Sequence, residues 1–339
     1  MELGIYSFGE VVANPAGTSA TTLHERFRQV LELADLADAG GLDAISLGEH
    51  HRSDFSMSAP EIVLAAIAGR TKRLRLSSGV TVLSSQDPVR VFEQFATLDH
   101  VSEGRAEIIA GRGAFTESFP LFGFDLHDYD ALFDEKLQLL LRIRDEESVT
   151  WSGRFRSALD DVRISPRPLQ APLPIWVAIG GTPASAVRAG LLGLPMMMGF
   201  FAGPEQFVSR VDLYHRAAAQ AGHDPASLRL GASGHFYVGK TSQAARDEFY
   251  PYYSRYFQQG GAPFAANGFP RAAYDAWIEN SLPVGSPQQV IDAIMLRVEL
   301  LGIDRFMAQI DVGNLPWSMT LESLELYMTE VAPVIRKEA

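Results

Sequence analysis

Short hydrophobic segments rich in β-branched residues alternate with amphipathic segments along almost the whole chain. A short apolar run bounded by turn residues is typical of a buried strand, whereas apolar residues three and four positions apart indicate a helix. The predicted strands cover residues 3–8, 43–47, 74–83, 106–111, 175–179, 195–198, 228–238 and 305–310. The predicted helices lie near residues 22–39, 58–71, 88–102, 129–147, 183–192, 204–221, 242–257, 286–301 and 321–335.

Eight strands, each followed by a helix, predict an α/β fold of the (β/α)8 or TIM-barrel type. An open doubly wound sheet would usually have fewer strands and an early glycine-rich fingerprint, and no G-x-G-x-x-G follows the first strand. We expect a single domain over residues 1–339.

Two segments interrupt the alternation of strands and helices. Residues 149–174 indicate a hairpin and a proline-rich connector, and residues 258–283 indicate an insertion after strand 7 that could act as a lid.

Composition narrows the class of protein. Hydrophobic residues make up 47% and charged residues 21% of the 339, which is ordinary for a globular protein. No apolar run is long enough for a transmembrane helix, and residues 1–5 lack the features of a signal peptide, so a cytoplasmic protein is expected. The absence of cysteine excludes disulfides and thiolate metal sites, and the net charge of −12 argues against nucleic acid and anionic membranes as partners.

The second predicted strand and its extension read D-A-I-S-L-G-E-H-H over residues 43–51. Side chains alternate across a strand, so the face with the smallest side chains, which suits a crowded barrel interior, carries Ala44, Ser46, Gly48 and His50. His50 would therefore point inward at the carboxyl end of a parallel strand, where such enzymes keep their chemistry, and is a candidate for proton transfer. A structural histidine is the alternative. His51 would face the other way, which argues against a His-His metal pair, and Glu49 would orient a histidine.

Arg112 ends the fourth predicted strand between two glycines. Its guanidinium could bind a phosphate, because flanking glycines let the backbone approach a ligand; a surface salt bridge is the alternative.

Gly180, Gly181, Thr182 and Pro183 lead from the fifth strand into a helix, with Thr182 a suitable N-cap and Pro183 a suitable first residue. Free N–H groups at such a helix start favour an anion. A simple strand-to-helix turn is the other reading, but with Arg112 nearby we favour phosphate binding.

Several ordered motifs resemble the bacterial luciferase-like flavin monooxygenases. They are E-H-H at 49–51, V-L-S-S-Q-D-P-V-R at 82–90, G-R-A-E-I-I-A-G-R-G at 104–113, P-I-W-V-A at 174–178, G-L-P-M at 193–196, V-G-S-P-Q-Q-V at 284–290 and S-L-E-L-Y-M-T-E-V-A-P at 323–333. Together they span nearly the whole chain, and their order matches the family's.

The resemblance implies a barrel that binds FMN, reduced by a separate flavin reductase, and activates oxygen to oxidise a small organic substrate. By position, His50 is similar to the family's active-site histidine and His51 to its neighbour, so the resemblance implies both as candidate catalytic residues. His50 would stabilise a flavin hydroperoxide or move a proton. Residues implied in cofactor binding are Gly79 and Val80, where the family often has a cis peptide, Arg112, and the phosphate turn with Gly180, Gly181, Thr182 and Ser185. Position 181 is glycine where luciferase has a carboxylate, so aldehyde oxidation and light emission are not implied.

Further residues complete the expected site. The pocket walls would be Phe8, Phe55, Met57, Phe115, Phe119, Phe122 and Met198. The lid would shield the flavin with Phe264, Phe269 and Tyr274. The second and third predicted helices are apolar on more than one face, and the resemblance implies a homodimer there.

Three other functions stay open. The first is a deazaflavin-dependent dehydrogenase or reductase of the same superfamily, and the second is a flavin-binding protein without turnover. The third is an unrelated barrel hydrolase that would use carboxylates such as Asp43 and Glu107.

Overall fold

The structure is a computed structural model that describes residues 1–11, 21–200, 203–259, 268–280 and 282–339. Phe264, which we expected in a lid, lies outside these residues.

Parallel strands form a closed barrel, which confirms the predicted (β/α)8 architecture. The strands are β1 (Glu2–Ser7), β2 (Ala44–Leu47), β3 (Arg75–Ser78), β4 (Thr81–Val82), β5 (Ala106–Gly111), β6 (Val149–Trp151), β7 (Leu159–Val162), β8 (Ile175–Ile179), β9 (Met196–Phe200), β10 (Leu230–His235), β11 (Tyr237–Val238), β12 (Val284–Gly285) and β13 (Arg305–Gln309). The order around the barrel is β3-β2-β1-β13-β10-β9-β8-β5-β4, and pairing of β3 with β5 closes it. β3 and β4 share one position, so the barrel has eight.

Helices cover the outside of the barrel. They are α1 (Leu23–Ala39), α2 (Pro60–Ala68), α3 (Pro88–Val101), α4 (Ser118–Phe122), α5 (Tyr129–Asp145), α6 (Pro183–Leu191), α7 (Glu205–Gln220), α8 (Ser242–Gln259), α9 (Arg271–Glu279), α10 (Pro287–Leu301), α11 (Trp317–Leu326) and α12 (Ala332–Glu338). A π-helical turn at Tyr327–Val331 joins the last two, which were predicted as one helix. In the described part of the chain, no helix is both long and apolar enough to cross a bilayer.

Alternate side chains of β2 pack in two different clusters, as its sequence predicts. Ile45 and Leu47 belong to the large hydrophobic core that includes helix residues such as Leu33 and Leu64. Ala44 instead belongs to a small separate cluster with Trp176 and other residues. The narrow side chains of β2 therefore face the barrel interior, as the alternation rule requires.

Two predicted strands are divided in the structure. The run at 74–83 separates into β3 and β4 around Gly79 and Val80, whose peptide bond is cis. The run at 228–238 separates into β10 and β11 at Phe236, which is buried in the outer core against Tyr327, with 4.7 Å between ring centroids. Beyond that point β11 leaves the barrel, because it pairs in parallel with β12 instead of with a barrel strand.

The two interruptions of the alternation have different structures. Residues 149–174 begin with the predicted hairpin, in which β6 and β7 pair antiparallel. The described part of 258–283 contains α9, and its Phe269 and Tyr274 are almost fully buried in an aromatic cluster with Tyr253 and Trp277. Both rings pack within this cluster, and a lid over the flavin stays a prediction.

Candidate active site

A cavity of about 360 Å³ opens among the carboxyl ends of the barrel strands. The predicted site residues on its wall are His50, His51, Gly79, Val80, Arg112, Gly180 and Thr182. Gly181 and Ser185 adjoin it in the turn after β8. One cavity thus brings together the histidine and arginine regions that were predicted separately.

The wall differs in part from the predicted one. Phe8 and Phe115 line the cavity, whereas Met57, Phe119 and Met198 are buried elsewhere. Met197 lies inside the barrel in place of Met198, so our register for β9 was wrong by one residue. The segment M-M-M-G-F has no polar positions that would reveal which face is inward.

His50 is held by three aromatic rings and one carboxylate. Its ring stacks on Phe55, with centroids 4.3 Å apart, and meets the edges of Phe8 at 4.4 Å and Phe115 at 5.1 Å. Its Nδ1 lies 3.3 Å from Oε1 of Glu117. Burial raises the pKa of Glu117, but hydrogen bonds from His50 and nearby backbone N–H groups outweigh this and lower the pKa overall.

His51 also lines the cavity, contrary to the expectation that it faces the other way. β2 ends at Leu47, so strict alternation does not continue to residue 51. The Nε2 of His51 lies 2.8 Å from Oε1 of Glu49, as expected for a carboxylate that orients a histidine. Glu49 is itself fixed, because it accepts hydrogen bonds from the backbone N–H of Val82 at 2.7 Å and from Gln86 at 2.8 Å.

Arg112 connects the ends of β5 and β8. Its Nη2 donates to Ser185 Oγ at 3.0 Å and to Thr182 Oγ1 at 3.4 Å. It also forms an ion pair with Asp130, which is the salt bridge considered as the alternative. The guanidinium lies over the ring of Tyr129, 5.2 Å from its centroid. The geometry therefore combines a partly exposed cation with two hydroxyl groups beside the cavity.

The turn after β8 has the predicted local structure. Thr182 is the N-cap residue and Pro183 begins α6, but the Thr182 side chain makes no capping hydrogen bond and lies near Arg112 instead. Gly181 has a φ of 114°, a value that glycine adopts without strain. Its carbonyl oxygen accepts a hydrogen bond from Nε of Arg210 at 2.6 Å, so a second cation lies at this turn.

Two buried serines on the cavity wall have unsatisfied hydroxyl groups. Ser46 and Ser118 are each 2% exposed. Within the described part of the chain, neither Oγ has a hydrogen-bond partner. A buried hydroxyl without a partner costs free energy, so both groups are suited to a ligand that offers polar atoms.

A group of buried charges lies beside this site, where the ends of β1 and β13 meet. Glu10 accepts a hydrogen bond from the N–H of Gly313 at 2.8 Å, and Asp311 accepts one from Ser7 at 2.5 Å. Arg26 lies 3.9 Å from Asp311. Burial, reinforced by the charge of Asp311, raises the pKa of Glu10 well above its usual value, which favours the neutral acid.

The carboxylates considered for a hydrolase are engaged at the opposite end of the barrel. Glu107 accepts hydrogen bonds from Arg305 at 2.9 and 3.1 Å and from Trp176 at 2.8 Å. Asp43, just before β2, pairs with Arg336 at 2.7 Å. Both lie near the amino ends of their strands, away from the cavity, which removes the support for that function.

Sequence reasoning missed Glu117, Tyr129, Arg210 and Ser118. Glu117 and Ser118 follow β5 in a segment without clear strand or helix periodicity. Tyr129 begins α5, and Arg210 lies on α7, far along the chain from Arg112. The run of glycines around Arg112 was a signal that a loop near a ligand begins there, but it did not indicate which later side chains return to the cavity.

Comparison with known proteins identifies the family of the chain. The family model described as luciferase-like monooxygenase matches residues 1–305. The 4-hydroxyprotoasukamycin monooxygenase of Streptomyces nodosus subsp. asukaensis is 29% identical over 323 residues, covering 89% of this chain and 85% of that protein. The oxygenase component of the flavin-dependent trigonelline monooxygenase of Acinetobacter baylyi is 26% identical over 341 residues, covering 92% and 91%.

Solved structures share the fold. Monooxygenase RslO1 from Streptomyces bottropensis superimposes with a TM-score of 0.85 at 27% identity, over 98% of this chain and 99% of that chain. The oxygenating constituent of 3,6-diketocamphane monooxygenase from Pseudomonas putida, in complex with FMN, gives 0.77 at 22% identity over 99% of both. An F420-dependent secondary alcohol dehydrogenase gives 0.76 at 18% identity, over 99% of both chains.

Proposed function

Because the chain belongs to the luciferase-like monooxygenase family, as its match over residues 1–305 establishes, we propose that it uses reduced FMN and oxygen to oxidise a small organic substrate. The observation that carries the proposal is that one cavity is lined by both His50 and Arg112. The first can handle a proton and the second can hold an anion, and both functions are needed when a phosphorylated redox cofactor is used.

The wall of the cavity fits a flat ring system. Among the residues that the structure describes, a Cβ built on Gly180 would meet no atom within 4 Å, and one on Gly199 would approach Ile179 O alone, at 3.8 Å. These glycines leave open space that a side chain would fill. Val80, Ile109 and Met197 provide apolar contacts nearby. The free hydroxyl groups of Ser46 and Ser118 are polar partners for ring heteroatoms, so the residues present suit an isoalloxazine.

The phosphate would be held at the ends of β5 and β8. Arg112 supplies charge, while Thr182 and Ser185 supply hydroxyl groups, within 3.4 Å of its Nη2. The first turn of α6 adds backbone N–H groups and the positive end of the helix dipole. Arg210 adds a further cation behind Gly181. Such charge-assisted contacts are among the stronger hydrogen bonds in proteins.

When bound, reduced FMN would supply the electrons that activate oxygen. His50 would then hold or transfer a proton at the cavity wall, because an imidazole can do both near neutral pH. His51, fixed by Glu49, would contribute to the shape and polarity of the same wall. Phe8, Phe55 and Phe115 surround the imidazole and would exclude water from it, so a proton on His50 would be transferred to a ligand in the cavity and not to solvent.

The relative from Acinetobacter baylyi is named as an oxygenase component, which supports a separate flavin reductase as the partner of this chain. A homodimer through α2 and α3 is also proposed, since Ile62 on α2 is 68% exposed. A cytoplasmic location stays a prediction. The F420-dependent neighbour keeps a deazaflavin cofactor as the alternative, since both cofactors carry a phosphate and a tricyclic ring.

The test is to titrate the purified protein anaerobically with FMN, reduced FMN and deazaflavin, and then to add oxygen. We expect reduced FMN to bind most tightly and oxygen uptake to fall in His50→Ala more than in His51→Ala. Tighter binding of the deazaflavin would favour the alternative. If oxygen uptake is unchanged in His50→Ala, His50 has no catalytic role. If the wild-type protein binds flavin but takes up no oxygen, it is a flavin-binding protein without turnover.

A further inference from the structure

We propose that Glu117 is a positioning residue that keeps a proton on Nδ1 of His50 and thereby leaves Nε2 for chemistry in the cavity. The catalytic meaning of this inference rests on the proposed function, whereas the state of the imidazole is a property of the protein alone.

The first observation is geometric. Oε1 of Glu117 lies 3.3 Å from Nδ1 of His50 and accepts a hydrogen bond from the backbone N–H of His51 at 3.4 Å. The ring of His50 is stacked on Phe55 and has the edges of Phe8 and Phe115 against it. These contacts restrict rotation of the ring, so Nδ1 stays directed at the carboxylate and Nε2 lies on the other side.

The second observation concerns charge. Glu117 has a lowered pKa, so it is an ionised carboxylate at neutral pH and can only accept hydrogen bonds. A hydrogen bond between this carboxylate and a ring nitrogen requires the proton to be on that nitrogen. Neutral His50 therefore carries its proton on Nδ1, and its Nε2 is an acceptor that can take a proton from a ligand and return it.

In the neighbouring pair of Glu49 and His51, the carboxylate contacts the other ring nitrogen, so the inference distinguishes the two histidines. Glu49 contacts His51 at Nε2, at 2.8 Å, so neutral His51 carries its proton there. Glu49 is 5% exposed and has further donors in Val82 and Gln86. The side chain of Glu117 is 21% exposed and lines the cavity. Two adjacent histidines are thus fixed in opposite tautomers by two different carboxylates.

The chemical consequence concerns the transferred proton. When Nε2 of His50 gains a proton, the imidazolium has positive charge next to the Glu117 carboxylate, which stabilises it. Loss of that proton to a ligand restores the neutral Nδ1 tautomer. Glu117 itself neither gains nor loses a proton, so it acts only through His50.

The direct test is the tautomeric state, measured by long-range 1H–15N NMR on flavin-free protein labelled at histidine, with His50→Gln and His51→Gln to assign the signals. We expect neutral His50 to be protonated at Nδ1 and neutral His51 at Nε2. Glu117→Leu removes the acceptor and should shift His50 toward a mixture of tautomers, with His51 unchanged. Glu117→Gln retains an acceptor oxygen and should preserve the tautomer. The surface variant Glu147→Gln, matched in charge, should change neither.

The inference would be overturned if neutral His50 of the wild-type protein were protonated at Nε2. It would also be overturned if the His50 signals of Glu117→Leu were identical to those of the wild-type protein. With reduced FMN bound, we expect Glu117→Leu to lower the rate of oxygen uptake by about 10–100-fold, which is less than the roughly 10²–10⁴-fold contribution of a proton-transfer group itself. Flavin affinity should change less than threefold. The rate for Glu117→Gln should lie between that of the wild-type protein and that of Glu117→Leu. Absence of oxygen uptake by the wild-type protein with reduced FMN would refute the proposed function. The NMR result would still decide the tautomer of His50.

Discussion

Nη2 of Arg112, at the carboxyl end of β5, lies 3.0 Å from the hydroxyl of Ser185 in the first turn of α6. These residues are 73 positions apart along the chain and come from neighbouring barrel strands. Their approach creates a small group of donors at the rim of the cavity, beside the wall that contains His50.

Arg112→Ala should weaken binding of FMN by about 10–100-fold, since a hydrogen bond to a charged group contributes roughly 1.5–3 kcal/mol. Riboflavin has no phosphate, so its weaker binding should be almost unchanged by the substitution. Fluorescence titration with both flavins measures the difference. An equal loss for the two flavins would mean that Arg112 supports the cavity and does not contact the phosphate.

Asp130→Asn should strengthen FMN binding. Asp130 pairs with Arg112 and is 68% exposed, so it competes with a phosphate for the same guanidinium. Exposed ion pairs contribute about 0–1 kcal/mol, so we expect a gain of roughly two- to fivefold. The gain should shrink as salt is added, because exposed charges are screened. Weaker binding in Asp130→Asn would show instead that the carboxylate holds Arg112 in position.

Gly180→Leu should abolish flavin binding without destabilising the protein. Gly180 lines the cavity, and a Cβ built on it would meet no atom of the described residues within 4 Å, so we expect the leucine side chain to occupy the cavity without a clash. The exposed Gly69→Leu provides a matched control at the end of α2. Thermal unfolding and FMN titration of both variants distinguish the effects. Normal FMN affinity in Gly180→Leu would exclude this part of the cavity as the ring site.

Glu10→Gln should alter how stability depends on pH. The pKa of Glu10 is raised in the folded protein, so its contribution to stability is complete below its unfolded pKa and is lost as pH rises toward the folded value. The amide does not titrate. The free energy of unfolding of Glu10→Gln relative to wild type should therefore increase with pH above about 5, by up to about 1.4 kcal/mol per unit.

Urea denaturation from pH 5 to 8 measures this difference, with Glu147→Gln as the control for an exposed carboxylate. A difference between Glu10→Gln and wild type that stays constant across this range would mean that Glu10 is ionised in the folded protein.

The sequence predicted those parts of the molecule that depend on local patterns. Apolar runs identified each barrel strand, and the pattern D-A-I-S-L separated the inner face of β2 from the outer one. Features set by distant contacts were missed. The predicted strand at 74–83 is broken at Gly79, although its sequence reads as one β-rich run. β11 leaves the barrel because it pairs with Val284 and Gly285, which lie far along the chain. Glu117 reaches His50 across 67 residues, with no periodicity to indicate it.

The pairing of β1 with β13 has a consequence for how the protein is made. While the chain is being synthesised, β1 has only β2 beside it until residues 305–309 have left the ribosome. At roughly 5–20 residues per second, its other edge stays open for about 15–60 seconds. An unpaired strand edge is a template for aggregation, so the amino-terminal strand carries this risk until synthesis is almost complete.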